Sequence, residues 1–313
     1  MTSNEPVGSA VVPLVSIGII TYNQERYVDE AIRSAIEQDY PNIEIIVADD
    51  ASKDATRERI EEWQRRYPGK ITALFNPGNL GVTGNSNVCL AACRGEYLIL
   101  MGGDDILLRT KVSQQVAWFQ AHPRGVLCGH QVEVFYEDGT KSHPGTRFLF
   151  LRRGSGPRKI MSKGVPFCAC AIMFRKSSVP AYGFEPSLPW ASDYLFWMEI
   201  LSQGGEYGYV GGSLARYRKH SSNVTNKGMA LMKEVRLSFK LFAFRHPQFA
   251  NASRDGLFDV YVYGQGHICE TVKEYRRALS HYWRSLSRNP ISLKKWVAIA
   301  RTTMKMLLKH GVG

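Results

Sequence analysis

The chain has 313 residues, 44% of them hydrophobic and 22% charged, which allows a sizeable core and excludes compositional disorder. Its formal net charge of +12 favours anionic partners such as nucleotides, phosphorylated carriers or anionic lipid, without choosing among them. Residues 1–12 lack the basic and apolar regions of a secretory signal, and no apolar run reaches bilayer length, so a cytoplasmic protein is expected.

In chain order, residues 15–20 read as a buried strand, and 25–38 as a helix through Tyr27, Ala31, Ser34, Ala35 and Gln38. Pro41 and Asn42 end it. A second apolar strand, 43–48, runs into Asp49 and Asp50, and 54–66 is an amphipathic helix with Ile60 and Trp63 inward. Residues 71–75 are a third strand, 82–93 a helix after a Gly/Asn-rich loop, and 96–101 a fourth strand ending at Gly102-Gly103-Asp104-Asp105. A helix over 107–120 follows, then a strand over 126–136 leading to the Glu137-Asp138-Gly139 turn. Residues 147–163 read as a mobile basic loop, 166–174 as a strand, 192–202 as a helix, and everything from about Thr225 as helices. The alternation predicts an α/β fold with a mostly parallel central sheet and a helical C-terminal extension: a tail over 1–12, an α/β domain over 13–224 and a helical region over 225–313. In open α/β sheets, ligands sit at the carboxyl ends of the strands. Thr21, Tyr22, Asn23, the pair Asp49-Asp50 and the pair Asp104-Asp105 are therefore expected to converge.

Two adjacent carboxylates after a buried strand are costly neighbours without a cation, and hard divalent metals commonly join such oxygens to substrate phosphates. The competing reading is a turn and helix cap. Asp50 suits a base N–H and equally a capping role. The loop 76–85 has the spacing G-x-x-G-x-x-G rather than the dinucleotide fingerprint, and the turn after the first strand has no glycine, so a nicotinamide or flavin site is not expected. The six cysteines lack zinc spacing and read as buried thiols.

Together these blocks resemble a family 2 glycosyltransferase of the GT-A fold. Ser16-Ile17-Gly18-Ile19-Ile20-Thr21-Tyr22-Asn23 is similar to the family's opening strand and nucleotide loop, and Val47-Ala48-Asp49-Asp50-Ala51-Ser52-Lys53-Asp54 to its second-strand signature. Asn79-Leu80-Gly81-Val82 with Asn85 and Asn87, then Arg94-Gly95-Glu96-Tyr97, resembles its third block. Gly103-Asp104-Asp105 stands at the family's metal motif, Ala191-Ser192-Asp193 at its base segment, and Tyr217-Arg218-Lys219-His220-Ser221-Ser222-Asn223-Val224 at a late block. Gly102 departs from the pattern, since many relatives carry another Asp there.

The resemblance implies an inverting, metal-dependent transfer from a nucleotide-sugar to a glycan or lipid-linked glycan acceptor, in surface polysaccharide or lipopolysaccharide synthesis. It implies Asp193 as the base; Thr21, Tyr22, Asn23, Asp50, Gly81, Asn85, Asp104, Trp190 and Lys219 at the donor; and Asp105, Asp104 and His220 at a Mn²⁺ or Mg²⁺ ion. Asp105 is expected to ligate directly and Asp104 to meet sugar or ribose. Trp190 reads as a sugar platform or a packed aromatic, and His220 as a diphosphate contact or a structural histidine. Arg218 and Lys219 would neutralise the diphosphate or form a solvated basic edge. The rival class is a glycosyltransferase-like module that binds without turnover. A nucleic-acid binder has only charge in its favour, so no nucleic acid is expected.

Residues 291–310 put Leu293, Trp296, Val297, Ala300, Met304 and Leu307 on one helical face, with Lys294, Lys295, Arg301, Lys305 and Lys309 mostly elsewhere. That pattern suits a basic helix lying peripherally on an anionic membrane, or a helix packed on the catalytic domain.

Overall fold

The structure, a computed structural model, describes residues 12–138, 143–144, 153–163 and 168–310. Four apolar runs form the strands β1 (Val15–Thr21), β2 (Ile43–Asp49), β3 (Ile71–Phe75) and β4 (Tyr97–Gly102). They are parallel in the order β3-β2-β1-β4, with Val15 level with both Ile43 and Tyr97. Their near-continuous apolar character follows from helices on both faces. Those helices are α1 (Val28–Ile36), α2 (Thr56–Arg66) and α3 (Gly81–Ala92). Gly18 is the close-approach point: a Cβ there would lie 2.4 Å from Leu100 Cδ2 and 2.7 Å from Cys89 Sγ of α3.

The chain continues through β5 (Ile106–Leu107), α4 (Lys111–Ala121), β6 (Gly125–Tyr136), β7 (His143–Pro144), β8 (Arg153–Ser155), α5 (Arg158–Lys163), β9 (Met173–Arg175), α6 (Ser192–Ser202) and β10 (Glu206–Lys219). The sheet extends as β4-β9-β6-β10-β5. β9 is antiparallel to both β4 and β6, and β10 is parallel to β6, so six long strands share one direction and one carboxyl edge. Helices α7 (Met229–Arg245), α8 (Ala250–Gly256), α9 (Tyr263–Thr271), α10 (Tyr275–Leu286) and α11 (Leu293–His310) complete the chain, with a π-helical segment Leu257–Val262 between α8 and α9.

Several expectations need correcting. The first helix starts at Val28, because a turn held by Gln24 precedes it, with Tyr27 and Val28 N–H both donating to Gln24 O. Residues 106–107 are a short strand, captured by β10 through Ile106–Arg216 and Leu107–Ala215 pairing, and the helix begins only at Lys111. The strand expected over 166–174 is a 3-10 turn, Ala169–Ala171, followed by three strand residues; β9 is wedged between two partners that offer it two pairs each. Part of the basic loop is ordered: β8 pairs with β10, and α5 follows it. The rest of that loop, the turn glycine Gly139, the start of the expected 166–174 strand and the tail before Val12 lie outside the described residues.

The main core does not stop at residue 224. It takes in Val235, Phe239 and Phe242 of α7. A separate small core, Cys269, Ala278, Tyr282, Leu286, Ala298 and Ile299, joins α9, α10 and α11. The apolar stripe of α11 faces outward: Leu293 is 76% exposed and Met304 and Leu307 are each 64% exposed. Among the described residues, no helix is long and apolar enough to cross a membrane. Five of the six cysteines are buried and Cys168 is half-buried, all as free thiols.

Candidate active site

The carboxyl ends of β1, β2 and β4 are tied to one another. Asp50 N–H donates to Thr21 O at 3.0 Å, and Gly103 N–H donates to Ile20 O at 2.9 Å. The expected convergence of the Thr21, Asp49-Asp50 and Asp104-Asp105 segments is therefore present. β10 brings Lys219 and His220 to the same edge, through its register with β6.

Asp50 is almost fully buried and works on the protein itself. Its Oδ1 accepts from Leu80 N–H at 2.7 Å and from Asn76 Nδ2 at 3.0 Å, and its Oδ2 accepts from Gly81 N–H at 2.9 Å. The carboxylate thus occupies the anion-favouring N-terminus of α3 that a phosphate would otherwise use. Gly81 has φ +75°, a left-handed conformation that favours glycine at this turn. Asn85 is buried and donates to Ala48 O at 2.9 Å, cross-linking β2 to α3. Asn23 also braces loops: its N–H donates to Ser52 Oγ, and its Oδ1 accepts from Lys53 N–H, each at 2.8 Å. Tyr22 projects outward, 45% exposed. The buried Thr21 Oγ1 and Gln24 Oε1 have no hydrogen-bond partner among the described residues, and both border Gly103.

The two acidic neighbours have different environments. Asp105 is 4% exposed, and its Oδ1 accepts from Arg218 N–H at 3.1 Å. Burial, and then the charge of Asp104, raise its carboxyl well above the usual carboxylate range. Asp104 is more open, and its Oδ2 lies 2.8 Å from His220 Nε2 and 3.3 Å from Asn223 Nδ2. A Cβ at position 102 would fall 2.4 Å from Asp104 Oδ1, so Gly102 leaves room for this carboxylate. Asp105 faces into the protein, and Asp104 faces the edge.

His220 is held on all sides. Its Nδ1 is 2.8 Å from Ser222 Oγ, its N–H donates to Asn223 Oδ1 at 2.7 Å, and its ring stacks on Tyr27 at 5.0 Å. Arg218 is not a solvated edge. It is 8% exposed, its Nη2 meets Glu30 Oε2 at 2.6 Å, and its Nε donates to Asp104 O at 2.9 Å. Lys219 is more open, donating from Nζ to Thr225 Oγ1 at 3.1 Å.

Asp193 lies in the first turn of α6 and is half-buried. Burial pushes its carboxyl up to about 6, partly offset by its own and Tyr194 N–H groups, with the charge of Glu234 adding to the rise. The α6 N-terminus is fastened to α3 through Thr83 Oγ1, 2.7 Å from Ser192 Oγ, and Thr83 also donates to Leu188 O. The Cys168 thiol, pushed up to about 12 mainly by burial, feels the charges of Asp105, Lys219 and Asp193. The thiol thus lies within electrostatic reach of all three groups. Trp190 is 37% exposed, but Lys227 Nζ sits 4.5 Å from its ring centre and occupies one face.

The sequence reading missed Glu234, whose Oε2 accepts from both Trp190 and Ala191 N–H groups at 2.9 and 2.8 Å. Its only signal was an acid on the apolar face of α7. Asn223 and Tyr27, which hold His220, were likewise not singled out for this task.

Six same-sense strands ending in a polar edge, with an acidic motif after the fourth, now meet a direct finding: residues 16–183 match the sequence model of Glycosyl transferase family 2. The chain belongs to that family. The uncharacterized protein Rv1520 of Mycobacterium tuberculosis (strain ATCC 25618 / H37Rv) is 34% identical over 213 residues, 67% of this chain and 60% of that protein. This chain thus spans about three fifths of that mycobacterial relative. A Bacillus subtilis (strain 168) protein, TuaG, named as a teichuronic acid biosynthesis glycosyltransferase, is 22% identical over 222 residues, covering 71% of this chain and 85% of that protein. The fold is shared with the mannosyltransferase PcManGT from Pyrobaculum calidifontis, solved with GDP-Man and Mn²⁺, at TM-score 0.65 and 17% identity over 95% of this chain and 81% of that one.

Proposed function

We propose that this family 2 member transfers a sugar from a nucleoside-diphosphate sugar to a hydroxyl acceptor with inversion. The observation that carries the reading is Asp193: a half-buried carboxylate in the first turn of α6, whose N-terminus is fastened to α3, with its carboxyl raised to about 6 by burial. A general base works best when its pKa lies near the working pH. The acceptor hydroxyl gives its proton to the Asp193 carboxylate as its oxygen bonds to the anomeric carbon. The bond from that carbon to the diphosphate oxygen breaks, and the nucleoside diphosphate leaves with the electron pair. Attack from the face opposite the leaving group inverts the centre.

The leaving diphosphate needs countercharge. Asp104 beside His220 offers an oxygen and a nitrogen donor at one edge, which suits a divalent ion shared with phosphate oxygens. Among the described residues, no group of three ligating side chains is found. Bound there, a cation would stabilise the departing diphosphate. PcManGT, with GDP-Man and Mn²⁺, supports the class of donor and ion. In this reading Asp104 is the metal-side carboxylate, and Asp105 shapes the turn by accepting from Arg218 N–H. Lys219 faces the diphosphate, while Tyr22 and the unpartnered Thr21 and Gln24 oxygens meet the nucleoside. Asp50, Gly81, Asn85 and Asn23 hold the loops around it. Trp190 offers its free face to the acceptor. The name of TuaG supports a glycan or lipid-linked glycan acceptor in cell-envelope polymer synthesis.

The test is a panel of nucleotide-sugars with Mn²⁺, Mg²⁺ or chelator, reading nucleoside diphosphate release and the product's anomeric configuration by NMR. Release and a β-linked product from an α-linked donor are expected. Donor binding without transfer to any acceptor, in intact protein, would favour a binding module instead.

A further inference from the structure

The last two helices carry an arrangement that the transfer reaction does not use. α11 turns a mixed polar face inward and its apolar stripe outward. The inward face holds Lys295, 3% exposed, whose Nζ donates to Asp259 Oδ1 at 2.5 Å and to Ser285 O at 2.7 Å, beside Ala298, Ile299 and Thr302. Arg301 and Lys305 flank it, reaching the two carboxylate oxygens of Glu270 at 2.6 and 2.9 Å. Three cationic contacts to two acids therefore lock the rotation of the helix about its axis. The lock leaves Leu293, Trp296, Val297, Met304 and Leu307 in solvent, at 46 to 76% exposure. A helix serving only the fold would do the reverse, because Lys is among the least buried residues and Leu among the most. A contiguous exposed apolar stripe marks a contact surface.

Two features identify what covers it. Trp283 of α10 meets Trp296 edge-on at 5.5 Å, and both are about half exposed, which extends the stripe with the side chain most typical of the membrane–water interface. Residues 273–310 contain ten Lys or Arg and one acid, Glu274. Lys295 is buried against Asp259, and Arg301 and Lys305, each about half exposed, are paired with Glu270, while Arg284 beside Trp283 and Arg288 one turn later keep the border positive. A second copy related by a twofold axis would set like charge against like across this face. An anionic bilayer complements both the apolar stripe and its basic border.

We propose that the outward face of α11, with Trp283 of α10, docks in the plane of an anionic lipid bilayer. The proposal stands without the transfer reaction and is read without it. The whole chain is co-sedimented with phosphatidylcholine vesicles, with and without phosphatidylglycerol, while tryptophan emission is followed. Binding and a blue shift are expected only with phosphatidylglycerol, weakening as salt shortens the Debye length. Trp296→Ser and Leu307→Ser should each lower the partition coefficient by about tenfold, because each removes one apolar side chain that would be buried. Leu307 points outward, so Leu307→Ser should match wild type in melting temperature and circular dichroism, whereas Trp296→Ser also gives up the Trp283 contact and its Nε1–H bond to Pro290 O and should keep the circular dichroism with a slightly lower melting temperature. Arg284→Gln with Arg288→Gln should weaken binding to anionic vesicles and leave the fold unchanged. Equal sedimentation of wild type and both stripe variants would overturn the proposal. So would equal binding to neutral vesicles, or a concentration-dependent dimer in light scattering that Trp296→Ser abolishes.

Discussion

Replacing Asp193 by Asn removes one ionisation and little else. The wild-type carboxyl rises from 3.8 to about 6 on folding, chiefly through burial. Between those values the folded chain holds a proton that the unfolded chain has released. Stability therefore falls as pH rises through that window and stays at its lower level above it. Every pH unit that separates the folded from the unfolded value is worth about 1.4 kcal/mol, and partial solvent access reduces the total to about 1–2 kcal/mol. Asn at this first-turn position, two residues after the N-cap Ala191, can still accept from the backbone N–H groups of residues 193 and 194, and it cannot ionise. Asp193→Asn should thus be more stable than wild type by about 1–2 kcal/mol at pH 7.5, and no more stable near pH 3. Over the same change, transfer should drop by on the order of a hundredfold to ten-thousandfold, the usual contribution of a positioned base. Wild-type turnover should rise with pH through about 6, and the residual turnover of the variant should not follow it. Urea melts at the two pH values and initial rates of nucleoside diphosphate release provide the data. A variant that is less stable at pH 7.5 and transfers at near wild-type rate would mean that Asp193 is only a cap.

Asp104→Ala should lower metal-dependent donor affinity at least about tenfold in calorimetry while the fold survives, since a charge contact to the ion is lost. Asp105→Leu should lower stability by about 1–3 kcal/mol in denaturant titration near pH 3.5, where the wild-type carboxyl is protonated, because Arg218 N–H loses its buried acceptor, and the loss should shrink as pH rises because Leu spares the cost of ionising a buried carboxyl. Asp50→Ala uncaps the Leu80 and Gly81 N–H groups and should cost about 1–2 kcal/mol in thermal melts, with donor binding impaired through the loosened loop. Lys111 is fully buried and its amine is pulled down to about 7 by desolvation, so Lys111→Met should stabilise the chain at neutral pH by about 1–4 kcal/mol. That gain should shrink as pH rises toward the unfolded value of 10.5, where wild type no longer loses a proton on folding.

The β1–β4 half of the sheet was legible because its strands are buried and end abruptly in polar residues. Those two facts need only local pattern, and the segments of Thr21, Asp50 and Asp104 do meet at one edge. What each carboxylate does was not local. Asp105 turns inward because β10 pairs with β5 and presents Arg218 N–H, from 113 positions away. Asp50 suits a base contact and a capping role equally in the sequence, and that it accepts at the α3 N-terminus is seen only in the structure. The three-residue length of β9 depends on the gap between β4 and β6, which periodicity cannot report. For α11 the apolar stripe itself was plain in the spacing. Its outward direction depends on Asp259 and Glu270, acids that lie well before the helix in sequence.

The pairing of β6 with β10 also dictates when the site can exist during folding. Gly125 lies beside Glu206, so about 80 residues must be closed into a loop before this parallel ladder forms, and such closures are slow. Asp104 meets His220, and Asp105 meets Arg218, only once that ladder is complete. A nascent chain that has released β1 to β4 holds the loops at their carboxyl ends and both acids without the partners that distinguish them. The two acids therefore acquire their separate surroundings only after β10 has paired.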